Sequence, residues 1–200
     1  MTRIIAGSAG GRKLLVPPSG TRPTAERVRE ALFSRLEHYD AVVGATVLDL
    51  YAGSGALALE SLSRGAHRAE LVDISRRAID LCNQNARNCG FRGQARATCA
   101  SADNYLAGAN QKFDLVFIDP PYDISNSEVD GTVAALIPHL RPAAVVVVER
   151  RKKDPAPTWL LPLAELSQKT YGDTSVYIAD MPAQKYENQA GGTEATPNCR

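Results

Sequence analysis

Short apolar runs alternate along this chain with segments of helical spacing. Residues 45–50, 69–72, 95–99, 113–118 and 143–150 are rich in Val, Leu, Ile and Ala and are bounded by polar or turn residues, so each reads as a buried strand. Between them lie helical patterns. Thr24 can cap a helix whose apolar positions Val28, Ala31, Leu32 and Leu36 share one face. Residues 56–63 read as a helix ended by Gly65, residues 76–88 as one stopped near Gly90, and residues 129–140 as one with Pro138 near its end. Residues 163–170 and 175–180 can close the sheet as an antiparallel pair across Gly172-Asp173. This alternation predicts an α/β fold with a doubly wound, mostly parallel sheet.

The two ends depart from the pattern. Residues 3–6 and 13–16 flank Gly7, Gly10 and Gly11, which predicts a small β-hairpin extension over residues 1–23. Pro17, Pro18, Gly20 and Pro23 make the loop that follows. The main domain is expected over residues 24–186. Residues 187–200, rich in Asn, Gly, Thr and Pro, are expected to be a disordered tail. There is no internal repeat.

Composition changes this picture little. A hydrophobic content of 44% supports a sizeable core, and a net charge of +1 advertises no polyanionic partner. The charge is uneven, however: Arg3, Arg12, Lys13 and Arg22 precede the first acidic residue, Glu26. Cys82, Cys89, Cys99 and Cys199 form no metal-ligand spacing, so neither a metal site nor a disulfide framework is expected, and a reducing, cytoplasmic setting fits. No run nears the roughly 18 apolar residues of a membrane span.

The most informative chemistry is Asp119-Pro120-Pro121-Tyr122, which ends the apolar run at 113–118. Two prolines remove two backbone donors and stop the strand. The stiff loop then presents a carboxylate, free carbonyls and an aromatic ring at a strand's carboxyl end, where open α/β sheets bind ligands. Such a loop suits a planar substrate with amine hydrogens, such as a nucleobase. A second motif, Asp49-Leu50-Tyr51-Ala52-Gly53-Ser54-Gly55, joins the strand at 45–50 to its helix. Glycine there permits a tight turn and close approach of a ligand. Asp73 follows at the next strand's end, roughly 20 residues on, the place for a ribose-binding acid.

Two cofactors compete for this loop. Gly53-x-Gly55-x-x-Ala58 also satisfies a dinucleotide fingerprint, which keeps a nicotinamide oxidoreductase in view. Asp49 weighs against it, because a pyrophosphate would meet a repelling carboxylate. S-adenosylmethionine has no phosphate and carries an ammonium group that an acid helps hold. The dinucleotide reading also leaves Asp119 to Tyr122 unexplained.

These motifs together look like a class I S-adenosylmethionine-dependent methyltransferase of Rossmann-like fold. Gly11-Arg12-Lys13-Leu14, Pro17, Gly20 and Arg22-Pro23-Thr24, followed by Arg27-Val28-Arg29-Glu30-Ala31-Leu32-Phe33, resemble more narrowly the RsmD family of 16S ribosomal RNA guanine-N2 methyltransferases. The resemblance spans about residues 3 to 180. One departure is visible: Asp73 stands where glutamate is frequent in that family. The resemblance implies methyl transfer to guanine N2 in the 30S subunit, ribosome biogenesis as the setting, and action as a monomer. It implies a catalytic group of Asp119, Pro120, Pro121 and Tyr122. Asp119 and the Pro120 carbonyl would accept the amine hydrogens, and Tyr122 would stack on the base. It implies a cofactor site of Asp49, Tyr51, Ala52, Gly53, Gly55, Asp73, Ile74, Ser101, Ala102 and Asp103, with Asp49 at the amino group, Asp73 at the ribose and Ile74 on adenine.

Blander readings stand beside these. Asp49 can cap a turn, Asp73 can cap the next helix, and Tyr51 can be turn packing. The basic hairpin is the best candidate for RNA contact through Arg3, Arg12, Lys13 and Arg22, with Arg27 on the following helix. A charged edge that blocks aggregation would look the same. DNA adenine-N6 or another amino-nitrogen methyltransferase, and a non-catalytic RNA-binding module, remain the rival classes. His38, His67 and His139 are isolated and carry no assigned role.

Overall fold

A computed structural model describes residues 2–16 and 23–183. Arg22, the Pro17 to Gly20 loop and the 187–200 tail lie outside the described residues. The elements run α1 (Pro23–His38), β1 (Thr46–Leu50), α2 (Ala56–Ser63), β2 (Arg68–Asp73), α3 (Arg76–Cys89), β3 (Ala95–Cys99), α4 (Ala102–Gly108), β4 (Phe113–Ile118), α5 (Asn126–Leu136), β5 (Leu140–Arg151), β6 (Ala164–Tyr171) and β7 (Thr174–Asp180). They form one seven-stranded sheet in the order β3-β2-β1-β4-β5-β7-β6. Strands β1 to β5 are mutually parallel, while β7 inserts antiparallel between β5 and the edge strand β6. The chain reverses its direction of winding between β1 and β4. The loops leaving those two strands therefore diverge and open a crevice at their carboxyl ends.

The strand interiors are apolar on both faces, and side chains alternate between two cores. Val47, Leu115, Phe117, Val145, Val147, Val176 and Ile178 join one core with α1, α2 and α3. Leu48, Leu50, Val116, Ile118, Val146, Val148 and Tyr177 join the other with α4 and α5. Helix α1 contributes Val28, Leu32, Phe33 and Leu36 to the first core. Phe33 sits 6.0 Å from Phe117 between ring centroids, which locks α1 over the middle of the sheet.

Three features differ from the sequence expectation. Helix α4 was not expected; it is short, it buries only Ala102 and Leu106, and Ser101 caps it by accepting from Asn104 N–H. So short a pattern gives little periodicity to read. Helix α5 starts and ends earlier than residues 129–140. A capping box between Ser125 and Glu128 starts it at Asn126, and Pro138 cannot continue the helical ladder. Residues Ile137–His139 form a 3₁₀ turn, and β5 begins at Leu140. The amino-terminal segment does form a hairpin, but a minimal one: a single antiparallel bridge between Arg3 and Lys13, with Leu14 N–H donating to the Thr2 carbonyl at 2.8 Å and Ile4 N–H to the Arg12 carbonyl at 2.9 Å, makes a compact arm shorter in strand than expected.

That arm is built into the first core through Ile4, Ala9 and Leu14. Glu60 of α2, with no exposed surface, accepts Ile5 N–H at 2.7 Å and Ala6 N–H at 3.0 Å and pairs with Arg64 at 2.8 Å. Arg29 of α1 donates to the Arg3 carbonyl and approaches Glu60 at 3.7 Å. Gly7 has φ of 80°, and a Cβ there would fall 1.8 Å from the Ser63 carbonyl oxygen, so only glycine lets the arm lie this close to α2.

Candidate active site

The carboxyl ends of β1, β2, β3 and β4 converge on a cleft of about 540 Å³. One wall is Tyr51 and Gly53 after β1 together with Val72, Asp73 and Ile74 at the end of β2. The segment Ala100 to Asp103 closes the far side, and Asp119 to Tyr122 forms the near side. Helix α5 and the turn before it add Ile124, Glu128 and Thr132. The cleft thus gathers all four residues of the proline loop and seven of the ten expected cofactor residues.

The glycine loop is shaped by the next strand. Tyr51 and Ala52 N–H both donate to the Val72 carbonyl at 2.9 Å, and Tyr51 takes φ of 74°, a left-handed conformation uncommon outside glycine. Gly53, with φ of 56°, faces open space at its α-carbon. Asp73 accepts Gly53 N–H at 2.9 Å through one carboxylate oxygen and Ser75 N–H at 2.8 Å through the other. Each oxygen keeps acceptor capacity toward the cleft. Ile74 is 76% exposed beside it, an apolar platform with nothing packed on it. Asn85 of α3 accepts Leu15 N–H at 2.8 Å and donates to the carbonyls of Leu15 and Ser54, both at 2.9 Å. A single buried amide therefore ties the amino-terminal arm to the glycine loop.

Three expected cofactor residues lie behind the cleft wall. Gly55 is the residue preceding α2, and a Cβ on it would meet Leu71 Cδ2 at 2.7 Å. Its absence of a side chain serves helix-to-strand packing and a φ of 79°, and it does not line the cleft. Ala52 is buried. Asp49 is 1% exposed, and its Oδ2 accepts Ala58 N–H at 3.3 Å, the cap that Gly55 cannot supply to α2. The capping role and the functional one are compatible, because Oδ1 has no partner. Burial pushes the Asp49 carboxyl up to about 8; the Ala58 N–H pulls it down, while Asp119 and Asp73 push it further up.

Asp119 is open toward the cleft but crowded by protein on its other sides, and that loss of water pushes its carboxyl up to about 6. Tyr122 is 53% exposed, and the Arg151 guanidinium lies 5.3 Å from its ring centroid. Arg150, buried at the end of β5, donates to the Ile124 carbonyl at 3.2 Å and to Asn126 Oδ1 at 2.7 Å. The turn after the two prolines is thereby fixed to the sheet. Val72, Ala100, Ile124, Glu128 and Thr132 were not expected from sequence. The first two could have been found by their place at strand ends, and Glu128 by its capping-box spacing from Ser125.

The basic residues are less uniform than their sequence spacing suggests. Arg3 pairs with Glu26 at 3.6 Å, and Arg12 donates to the Asn88 carbonyl at 2.6 Å. Lys13 and Arg27 are exposed. Among the described residues no group of His, Cys, Asp and Glu is arranged to hold a metal ion, and no helix is long and apolar enough to cross a membrane.

Residues 2–180 match the family model described as Conserved hypothetical protein 95. The chain belongs to the RsmD family. This RsmD-family chain is 44% identical over 121 residues to Ribosomal RNA small subunit methyltransferase D of Escherichia coli K12, an alignment spanning 60% of each protein. It is 35% identical to the protein of the same name from Haemophilus influenzae, over 86% of this chain and 90% of that one. Among solved structures, a putative methyltransferase from Escherichia coli, yhhF, superposes with a TM-score of 0.80 at 33% identity, covering 91% of this chain and 98% of that one. The RsmD membership and the superposition agree with the class I methyltransferase fold expected from the motifs.

Proposed function

We propose that this chain transfers a methyl group from S-adenosylmethionine to the exocyclic N2 amine of one guanine in 16S ribosomal RNA. The observation that carries this reading is a single cleft in which the Asp73-tethered glycine loop faces Asp119-Pro120-Pro121-Tyr122. The residues present fit the cofactor. Asp73 retains acceptor capacity for ribose hydroxyls, Ile74 offers an uncovered apolar face for adenine, and the orphaned Asp49 Oδ1 beneath the loop offers an acceptor for an ammonium group, whose charge would favour the ionised form of Asp49. When bound, the cofactor supplies an electrophilic methyl group on sulfonium.

The protein's own part is orientation and electrostatics. Guanine N2 is a weak nucleophile because its lone pair is delocalised into the ring. Asp119 would accept one N2 hydrogen and the Pro120 carbonyl the other, which favours a pyramidal amine with its lone pair free. Positive charge growing on N2 would be stabilised by the Asp119 carboxylate. Two prolines and the Arg150 anchor keep that carboxylate in place before substrate arrives. Tyr122, exposed at the cleft mouth, would stack on the extruded base.

Substrate recognition would extend to the arm, where Lys13 and the exposed parts of Arg3 and Arg12 meet RNA phosphate, and to Arg27 on α1. So modest a patch suits an assembled or partly assembled 30S subunit in the cytoplasm, whose proteins complete the surface, and a monomer suffices for the chemistry. The test is radiolabelled methyl transfer to small subunits lacking the modification, followed by nucleoside identification. Label in N2-methylguanosine is expected. Label in N6-methyladenosine, or none, would overturn the reading.

A further inference from the structure

Three carboxylates lie near the carboxyl ends of three neighbouring strands on the α1 side of the sheet. Asp49 stands two residues beyond Val47, Asp119 two beyond Phe117, and Glu149 two beyond Val147, and all three of those apolar residues belong to the same core. Strands β4 and β5 pair Ile118 with Val148, so Asp119 and Glu149 are the next neighbours across that pair. Adjacent strands lie about 4.8 Å apart. Asp49 and Asp119 have roles above, whereas Glu149 has none.

We propose that Glu149 is a specificity residue that accepts the N1–H of the target guanine while Asp119 holds its N2 amine. The inference rests on the guanine-N2 reading given above. Glu149 is half-buried, and among the described residues its carboxyl makes no hydrogen bond and no ion pair. The side chain keeps contact with the surface, so a donor on an incoming ligand can reach it. Burial raises its pKa well above the usual carboxylate range, with Asp119 and Asp49 adding to the rise and Arg29 on α1 opposing it. Two polar atoms in this layer are buried and unpartnered, Asp49 Oδ1 and Arg29 Nε. The layer between β5 and α1 is thus polar, incompletely paired, and adjacent to the amine-holding loop.

Guanine supplies what is missing. Its N1–H and N2–H groups point the same way from adjacent ring positions, so two acceptors side by side can take one each. Adenine presents a lone pair at N1, which repels the ionised Glu149 carboxylate, so the discrimination grows as Glu149 ionises with rising pH. A primary amide has no second donor group beside its amine. Asp119-Pro120-Pro121-Tyr122 alone serves any of these amines; Glu149 beside it selects guanine.

The test uses small subunits reconstituted with 16S ribosomal RNA carrying either guanine or 2,6-diaminopurine at the target position. Diaminopurine keeps the N2 amine and loses the N1 hydrogen. The wild-type protein is expected to prefer guanine in kcat/KM by roughly tenfold to a hundredfold, the usual worth of a well-placed base-edge hydrogen bond. Glu149→Ala should bring that ratio close to one. Glu149→Gln, nearly identical in shape, should lower or invert it, because the amide can donate to the diaminopurine N1. A wild-type protein without preference, or variants with an unchanged ratio, would overturn the role of Glu149. Failure of the wild type to methylate guanine at all would instead remove the guanine-N2 reading, and this inference with it. A merely structural Glu149 would lower both rates and leave their ratio in place.

Discussion

Gly53 donates its backbone N–H to Asp73 at 2.9 Å, so the acid that ends β2 also holds the loop that follows β1. Sequence spacing marked both residues as ligand contacts. It did not show that each sets the other's position.

Replacement of Asp73 therefore has two costs. Asp73→Ala removes the acceptor offered to the cofactor and frees the Gly53 and Ser75 N–H groups. A loss of about 2 kcal/mol, equivalent to roughly thirtyfold in affinity, is expected for S-adenosylhomocysteine by titration calorimetry. Affinity within a factor of two of wild type would show that Asp73 does not face the cofactor.

Asp49 is predicted to trade stability for binding. Its folded pKa of about 8 lies above the ordinary 3.8, so the folded protein takes up a proton more readily than the unfolded chain. Folding is favoured at low pH by this group and loses free energy as pH rises between those values. Asp49→Asn keeps an acceptor for Ala58 N–H and stays neutral throughout. Each pKa unit carries about 1.4 kcal/mol, so at pH near 8 the variant should be more stable by at least that much in urea unfolding, with the gain vanishing below 3.8. Its affinity for S-adenosylmethionine should fall. A variant less stable than wild type at every pH would contradict the burial penalty.

Asp119 should govern the acid limb of the rate profile. Methyl transfer is expected to rise with pH as the carboxyl ionises near 6 and then to level. Asp119 and Glu149 repel each other, so the apparent values belong to the pair. Asp119→Asn removes that repulsion and should shift the remaining titration downward. Asp119→Ala should lower kcat by about a hundredfold or more. A rate unchanged in the alanine variant would exclude Asp119 from the chemistry.

Glu60 tests whether the arm is part of the fold. Glu60→Ala leaves Ile5 and Ala6 N–H without acceptors and Arg29 without its carboxylate neighbour. A loss of about 3–5 kcal/mol is expected for breaking such a buried network, measured by denaturant unfolding. A change below about 1 kcal/mol would mean that the arm docks without it.

Much of the sheet was legible in the sequence because its strands are continuous apolar runs closed by Gly, Pro or acids. The run at 113–118, with two prolines after it, matches β4 residue for residue. Helix α4 was not legible, since its two buried positions give no period. The site was legible where chemistry coincides with a strand end, as at Asp73 and Asp119. It was not legible where the role depends on a neighbour across the sheet. Glu149 ends an ordinary-looking run, and only its register beside Asp119 singles it out. Gly55 shows the opposite case: a glycine in a motif position whose constraint comes from Leu71 behind it.

Asn85 gives the amino-terminal arm and the glycine loop a common fastening. Both carbonyls it serves, at Leu15 and Ser54, are held by one amide nitrogen, and its oxygen takes the Leu15 N–H. Pulling the arm toward RNA cannot be independent of the loop at this joint: either the tether moves with the arm and shifts Ser54, or it lets go and leaves a buried amide unsatisfied. Under the proposed function, any displacement of the arm by substrate would therefore reach the glycine loop through a single side chain.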